Sequence, residues 1–138
     1  MRAAGLRVRL QPVKVPHVAV IEGDFGLGRL LGSVATVGEA AGERLAPVLA
    51  ALRPIGAGVL DRRAGHVGSD IAPLQDAGIA GDASLVDARH DFDVHRTPAD
   101  TLDKVDPDAL RRQVAVLAVP VWFVAEVAEP IPAAPAAP

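Results

Sequence analysis

The side chains with the most chemical capacity crowd into one stretch. Asp82, Asp87, His90, Asp91, Asp93, His95, Asp100, Asp103, Asp106 and Asp108 all fall within it. Carboxylates and imidazoles are what a divalent cation needs where no thiolate is present, and this chain of 138 residues contains no cysteine. Disulfides, thiolate nucleophiles and Cys-ligated zinc are thereby excluded, and the redox compartment is left open. Asp also serves turns and helix caps for local reasons, its short carboxylate accepting a hydrogen bond from nearby backbone. That structural use accounts for most of this stretch, so spacing alone selects no ligand set. Glu22 and Asp24 form a second acidic locus. They follow a short β-branched run, residues 17–22, whose C-terminal end delivers them into a loop, and ligand sites in α/β sheets favour such strand ends.

One glycine-rich segment invites a different chemistry. Gly26-Leu27-Gly28-Arg29-Leu30-Leu31-Gly32 follows a strand, but its third glycine comes one residue late for a dinucleotide fingerprint. The residues after it, 33–37, have the β-branched character of a strand rather than a helix start. The segment therefore reads as a flexible loop, without a nucleotide cofactor.

The elements that must position these groups follow from periodicity. Leu45, Val48, Leu49 and Leu52 recur at helical spacing within residues 39–52, with Arg53-Pro54 and Gly56 as the stop. A short strand is expected over 57–60, then a loop through Gly65 and Gly68. Ser69 or Asp70 is placed to cap a short helix, 71–77, closed by Gly78. Residues 83–86 read as another strand. Asp106-Pro107 is a cap followed by a first-turn proline, opening a long helix to about residue 128, kinked or broken at Pro120. Strands alternating with helices indicate an α/β fold with a partly parallel sheet. Residues 1–15 carry no clear signal, 16–128 form one unit, and the Ala/Pro-rich tail, 129–138, is expected to be disordered.

Composition narrows the partners. Half the residues are hydrophobic but only 3% are aromatic, so the core must be built from Ala, Val, Leu and Ile. A net charge of -3 with dispersed Arg and Lys argues against nucleic acid, whose phosphates require clustered cations. The longest apolar run, 114–124, is too short to cross a membrane and contains Pro120. Arg7 and Arg9 interrupt any signal-peptide core, which leaves a cytoplasmic location as the default.

Three segments, in order, carry a family resemblance. Asp93-Val94-His95-Arg96-Thr97-Pro98-Ala99-Asp100-Thr101-Leu102-Asp103-Lys104-Val105-Asp106-Pro107 closely resembles the D-Y-H-H-T-P-A-D-T-L-D-K-V-D-P segment of zinc-dependent aminopeptidases and carboxypeptidase Q-like exopeptidases. Val20-Ile21-Glu22-Gly23-Asp24-Phe25-Gly26 is similar to the family's E-S-D-x-G segment. Gly68-Ser69-Asp70-Ile71-Ala72-Pro73-Leu74, with Ala77-Gly78-Ile79, is similar to its G-x-D-I-x-P-L…A-G-V-P segment. The resemblance spans roughly residues 16–128. It implies a mixed α/β sheet flanked by helices and the removal of single residues from peptide ends by two zinc ions. The ligands implied come in the chain order His, Asp, Glu, Asp, His, with a Glu as general base. Two close cations need a bridging carboxylate to offset their repulsion and a base to take the proton from the bridging water.

Transferred residue by residue, the implied site is incomplete. Asp24 matches the fourth ligand. The first three ligands and the base are expected to lie upstream of Met1. Arg96 stands where the family has its last ligand His, and a guanidinium stays protonated and offers no lone pair to zinc. His95 matches the neighbouring non-ligand His and is the remaining candidate, although adjacent residues of an extended segment point to opposite sides. Val94 replaces an aromatic residue of the motif; Thr97 and Asp100 are expected to set its turn. The expectation is thus a partial mixed sheet equivalent to the C-terminal half of a zinc aminopeptidase domain, with Asp24 and His95 as candidate metal residues. Such a chain is inactive alone and takes a peptide substrate only when an N-terminal half completes it. The alternative is an interaction module that pairs with such a half or another partner. An open sheet edge and a mean hydropathy of +0.28 then predict exposed apolar surface and oligomers.

Overall fold

In the computed structural model, which describes residues 16–24 and 28–134, four strands form one mixed sheet flanked by helices. In chain order the strands are β1 (Val20–Glu22), β2 (Leu30–Thr36), β3 (Val59–Arg62) and β4 (Gly81–Val86). Their order across the sheet is β1-β4-β2-β3, with β1 parallel to β4, β4 antiparallel to β2, and β2 parallel to β3. The α/β class and mixed sheet agree with expectation. β1 and β3 are the edges, and both open toward positions where no further strand is described.

Parallel neighbours need a crossover, and the β2-to-β3 connection supplies it with helices α1 (Ala41–Arg44) and α2 (Ala46–Leu52). The sequence predicts one helix here. The structure breaks it at Leu45 because Pro47 falls in the first turn of α2 and has no N–H to continue the ladder. The predicted apolar face survives the break: Leu45, Val48 and Leu52 are buried. After α3 (Ala72–Asp76) and β4, helix α4 (Pro107–Glu126) packs on β2, β4 and α2. It runs as one helix through the buried Pro120, and Asp106 caps it as predicted, accepting the Asp108 N–H at 2.9 Å.

The largest departure from sequence reading is β2. The presumed loop at Gly32 lies inside a central strand, at a register shift against β4. Gly32 has φ 152°, and a Cβ there would sit 1.9 Å from the Val59 carbonyl oxygen. The glycine is required by the close approach of β3, not by flexibility. A second correction concerns the tail. The expected disorder does not describe residues 129–134: Ile131 is buried, Val37 bridges Ala133, and the Gly38 N–H donates to the Pro132 carbonyl at 2.9 Å. The positions beyond 134, like those before 16, lie outside the described residues. The core is small-grained, as the composition requires, with Ala35, Ala41, Ala57, Leu52 and Val116 among its most buried members.

Candidate metal site

Because β1 and β4 are parallel, their C-terminal ends emerge on the same side of the sheet, and both acidic loci lie there. β1 ends on Glu22, and Gly23 and Asp24 follow it. Past β4, Asp87 opens a 3₁₀ segment, Ala88–Asp93, that leads into the turn holding His95 and Arg96.

Asp24 is exposed and lines a cleft of about 250 Å³ together with Glu22, Gly68 and Ser69. Glu22 closes one wall: its Oε2 accepts the N–H of Asp70 at 3.0 Å and of Ile71 at 3.3 Å. This corrects the expected cap of α3. Neither Ser69 nor Asp70 caps that helix by its side chain; a carboxylate from β1 satisfies the free amides ahead of it.

His95 is held elsewhere. Its Nδ1 lies 3.2 Å from Oδ2 of Asp91, which is buried. The approach is off the hydrogen-bond line, and that oxygen has no hydrogen-bond donor among the described residues. The Phe92 ring tilts against the imidazole at a centroid distance of 5.5 Å. His95 is not among the residues lining the Asp24 cleft. The other described imidazoles with carboxylate neighbours are committed locally, His66 to Asp76 at 2.7 Å and His90 to Asp93 at 3.1 Å.

The turn between them is built as expected. Thr97 Oγ1 donates to the Val94 carbonyl at 2.6 Å, and Asp100 accepts the Arg96 N–H at 3.2 Å. Arg96 has φ 55°, the one non-glycine in the left-handed region among the described residues. Such a conformation costs on the order of 1 kcal/mol in a residue with a Cβ, and the two flanking hydrogen bonds hold it. Its guanidinium is a fixed cation where the resemblance requires an imidazole.

A zinc ion does not fit what the described residues of this chain present by themselves. A closed zinc site takes four ligands, and among the described residues no group of three or more His, Cys, Asp or Glu side chains could hold a metal ion. Neither Asp24 nor His95 belongs to such a group among the described residues.

Sequence reasoning missed Asp82. Grouped with the acidic stretch and left just ahead of the strand expected over 83–86, it lies in β4 and lines an apolar cavity with Ile21, Ser33, Val48 and Pro120, between the sheet and its helices. Burial pushes its carboxyl up to about 7, against a partial lowering by the Ser33 hydroxyl, 3.5 Å away, and the Ala83 N–H. The signal was present: in Gly81-Asp82-Ala83-Ser84 the alternation of a strand sets Asp82 and Ser84 on one face.

The architecture matches a solved protein. The crystal structure of a Peptidase M28 precursor from Shewanella amazonensis SB2B aligns with this chain at a TM-score of 0.73 and 29% sequence identity, covering 86% of this chain. This chain spans 27% of the length of that protein. No family model matches the chain, and no curated protein matches it.

Proposed function

We propose that this chain is the C-terminal part of a zinc exopeptidase domain of the aminopeptidase or carboxypeptidase Q-like kind, inactive by itself and completed by a second polypeptide segment. The observation that carries the reading is the coincidence of three ordered motifs with a fold shared, at 29% identity over 86% of the chain, with a peptidase structure. The placement of Asp24 supports it: a carboxylate at the C-terminal end of a strand, exposed in a cleft, is positioned to accept a metal brought by other ligands. In the completed domain Asp24 would be one ligand, the zinc pair would supply the activated water, and the bridging carboxylate and general base would come from the other segment.

A second observation bears on partnership. Helix α4 leaves Leu110, Val114, Val121 and Trp122 exposed, Trp122 by 72%. An α-helix apolar on its outer as well as its inner face is usually covered. This favours an association role, whether or not the partner restores catalysis.

The deciding experiment measures zinc content and hydrolysis of aminoacyl and dipeptide substrates by the purified chain. The reading requires well under two zinc per chain and no turnover. Two tightly held zinc ions with chelator-sensitive peptidase activity would overturn it.

A further inference from the structure

The two open edges of the sheet are guarded differently. On β3, Asp61 pairs with Arg63 at 2.6 Å and Arg62 is exposed, and charged side chains along an edge oppose the addition of another strand. β1 carries the apolar Val20 and Ile21, and the carboxylate of its last residue, Glu22, is turned to the amides of Asp70 and Ile71. Val20 donates its N–H to the Ala80 carbonyl at 2.9 Å, so the alternation of the backbone turns the N–H and C=O of Ile21 outward, to the open edge. Helix α4 reaches the end of the same strand. Leu117 packs on Gly23, where an added Cβ would lie 3.0 Å from its Cδ1, and Asp24 is the next residue. Leu110, Val114, Leu117 and Val121 recur at intervals of four, three and four, which at about 100° per residue sets them on one stripe of α4. Leu110, Val114 and Val121 are half-exposed. That spacing is the seam by which one helix packs along another. An unpaired strand edge and an uncovered helix seam therefore meet beside Asp24. This chain spans 27% of the length of the solved peptidase it matches, so most of a protein of that kind is available to cover them.

We infer that the second polypeptide segment of the proposed exopeptidase docks on this face, adding a strand to the open edge of β1 and laying a helix with an apolar seam along Leu110, Val114, Leu117 and Val121. This docking rests on the completion reading above; it goes further by fixing the face and the kind of partner and by excluding the β3 edge. The test co-expresses the full chain with the Shewanella amazonensis peptidase from which the portion matching this chain has been removed, so that neither part has to fold alone. In the isolated complex, hydrogen exchange at the Ile21 amide should slow about tenfold or more relative to the chain by itself, while Val59–Arg62 is unchanged. Val114→Glu and Val121→Glu, both at exposed positions, should each weaken the complex about tenfold or more, because each buries an unpaired charge in the seam. Trp122→Ser, exposed but off the stripe, should leave it unchanged, and circular dichroism verifies that all three variants fold. A complex protected at β3 instead of β1, or indifferent to both glutamates, overturns the docking face and leaves the completion reading standing. Absence of any complex takes down both. A dimer of the chain alone that both glutamates dissolve gives the face to a second copy, and slow exchange of Ile21 in the isolated monomer means that the edge is covered from within the chain; either result also overturns the assignment.

Discussion

Glu22, the last residue of β1, holds Asp70 from 48 positions away: its Oε2 accepts the Asp70 N–H at 3.0 Å and the adjacent Ile71 N–H at 3.3 Å. Room for that carboxylate comes from Gly68, where a Cβ would lie 2.3 Å from Oε2. One wall of the Asp24 cleft therefore depends on a single strand-to-turn contact. Glu22→Ala should cost about 1 kcal/mol, since the freed amides are near water, and Gly68→Ala should cost a similar amount by displacing the same carboxylate. Because both changes remove one contact, the double variant should lose little more than either. Urea denaturation midpoints of the three variants check this; fully additive losses would show that the two residues act separately.

Asp82 makes stability fall as pH rises through neutrality. Its carboxyl, raised by burial to about 7 against an ordinary value of 3.8, holds its proton in the folded chain over a range where the unfolded chain has lost it. The folded state binds more protons there, so the stabilisation is fully present below about pH 4 and is lost as pH climbs to 7. A tenfold change in acidity corresponds to about 1.4 kcal/mol, so the loss from this group is on the order of 4 kcal/mol at most. Asp82→Asn keeps a polar group near Ser33 and removes the titration. Thermal melts between pH 4 and 8 should show the wild-type chain losing stability relative to the variant; parallel curves would sink the assignment.

Ile131 ties the tail to the core. It is buried, and Arg44 clamps the segment from outside by donating to the carbonyls of Glu129 and Pro130 at 2.5 and 2.9 Å. Ile131→Ala should destabilise by roughly 2–4 kcal/mol, the usual cost of emptying a buried aliphatic site. A change below about 0.5 kcal/mol, within the range of surface substitutions, would mean that the tail does not dock in solution.

These outcomes separate what was legible in the residues from what was not. Local rules carried α2, α3 and α4: Val48 and Leu52 announce a buried face, Gly78 with φ 87° ends α3, and Asp106-Pro107 opens α4. β2 was obscured because Gly32 looks like a loop residue until β3 lies beside it. The docking of Ile131 was hidden because an Ala/Pro-rich composition describes a segment by itself, whereas its partner, the end of β2, is distant in sequence. The candidate metal residues were legible only through motif resemblance. That His95 rests against Asp91, and that Glu22 serves the α3 turn, depend on folded positions that spacing does not encode.

Arg96 offers the sharpest test of the proposed function. It sits in the left-handed region at φ 55°, exposed, with its N–H on Asp100 at 3.2 Å. A His bears the same Cβ and keeps the same backbone bond, so Arg96→His should change folding stability by less than about 0.5 kcal/mol, the range for exposed positions. Its effect on metal should be large in one setting only. Alone, the variant still lacks a group of ligands able to close a site and should bind zinc weakly. Combined with the N-terminal half of an intact exopeptidase of this fold, it replaces a fixed cation by an imidazole beside the metal pair and should gain zinc-dependent aminopeptidase activity that the Arg96 form lacks. Association of each form with that half is measured first, so that a difference in turnover reflects the site. Equal activity of both forms would mean that His95 leaves Asp91 to serve as the ligand or that the motif is aligned one residue out of register, and the ligand position would have to be reassigned.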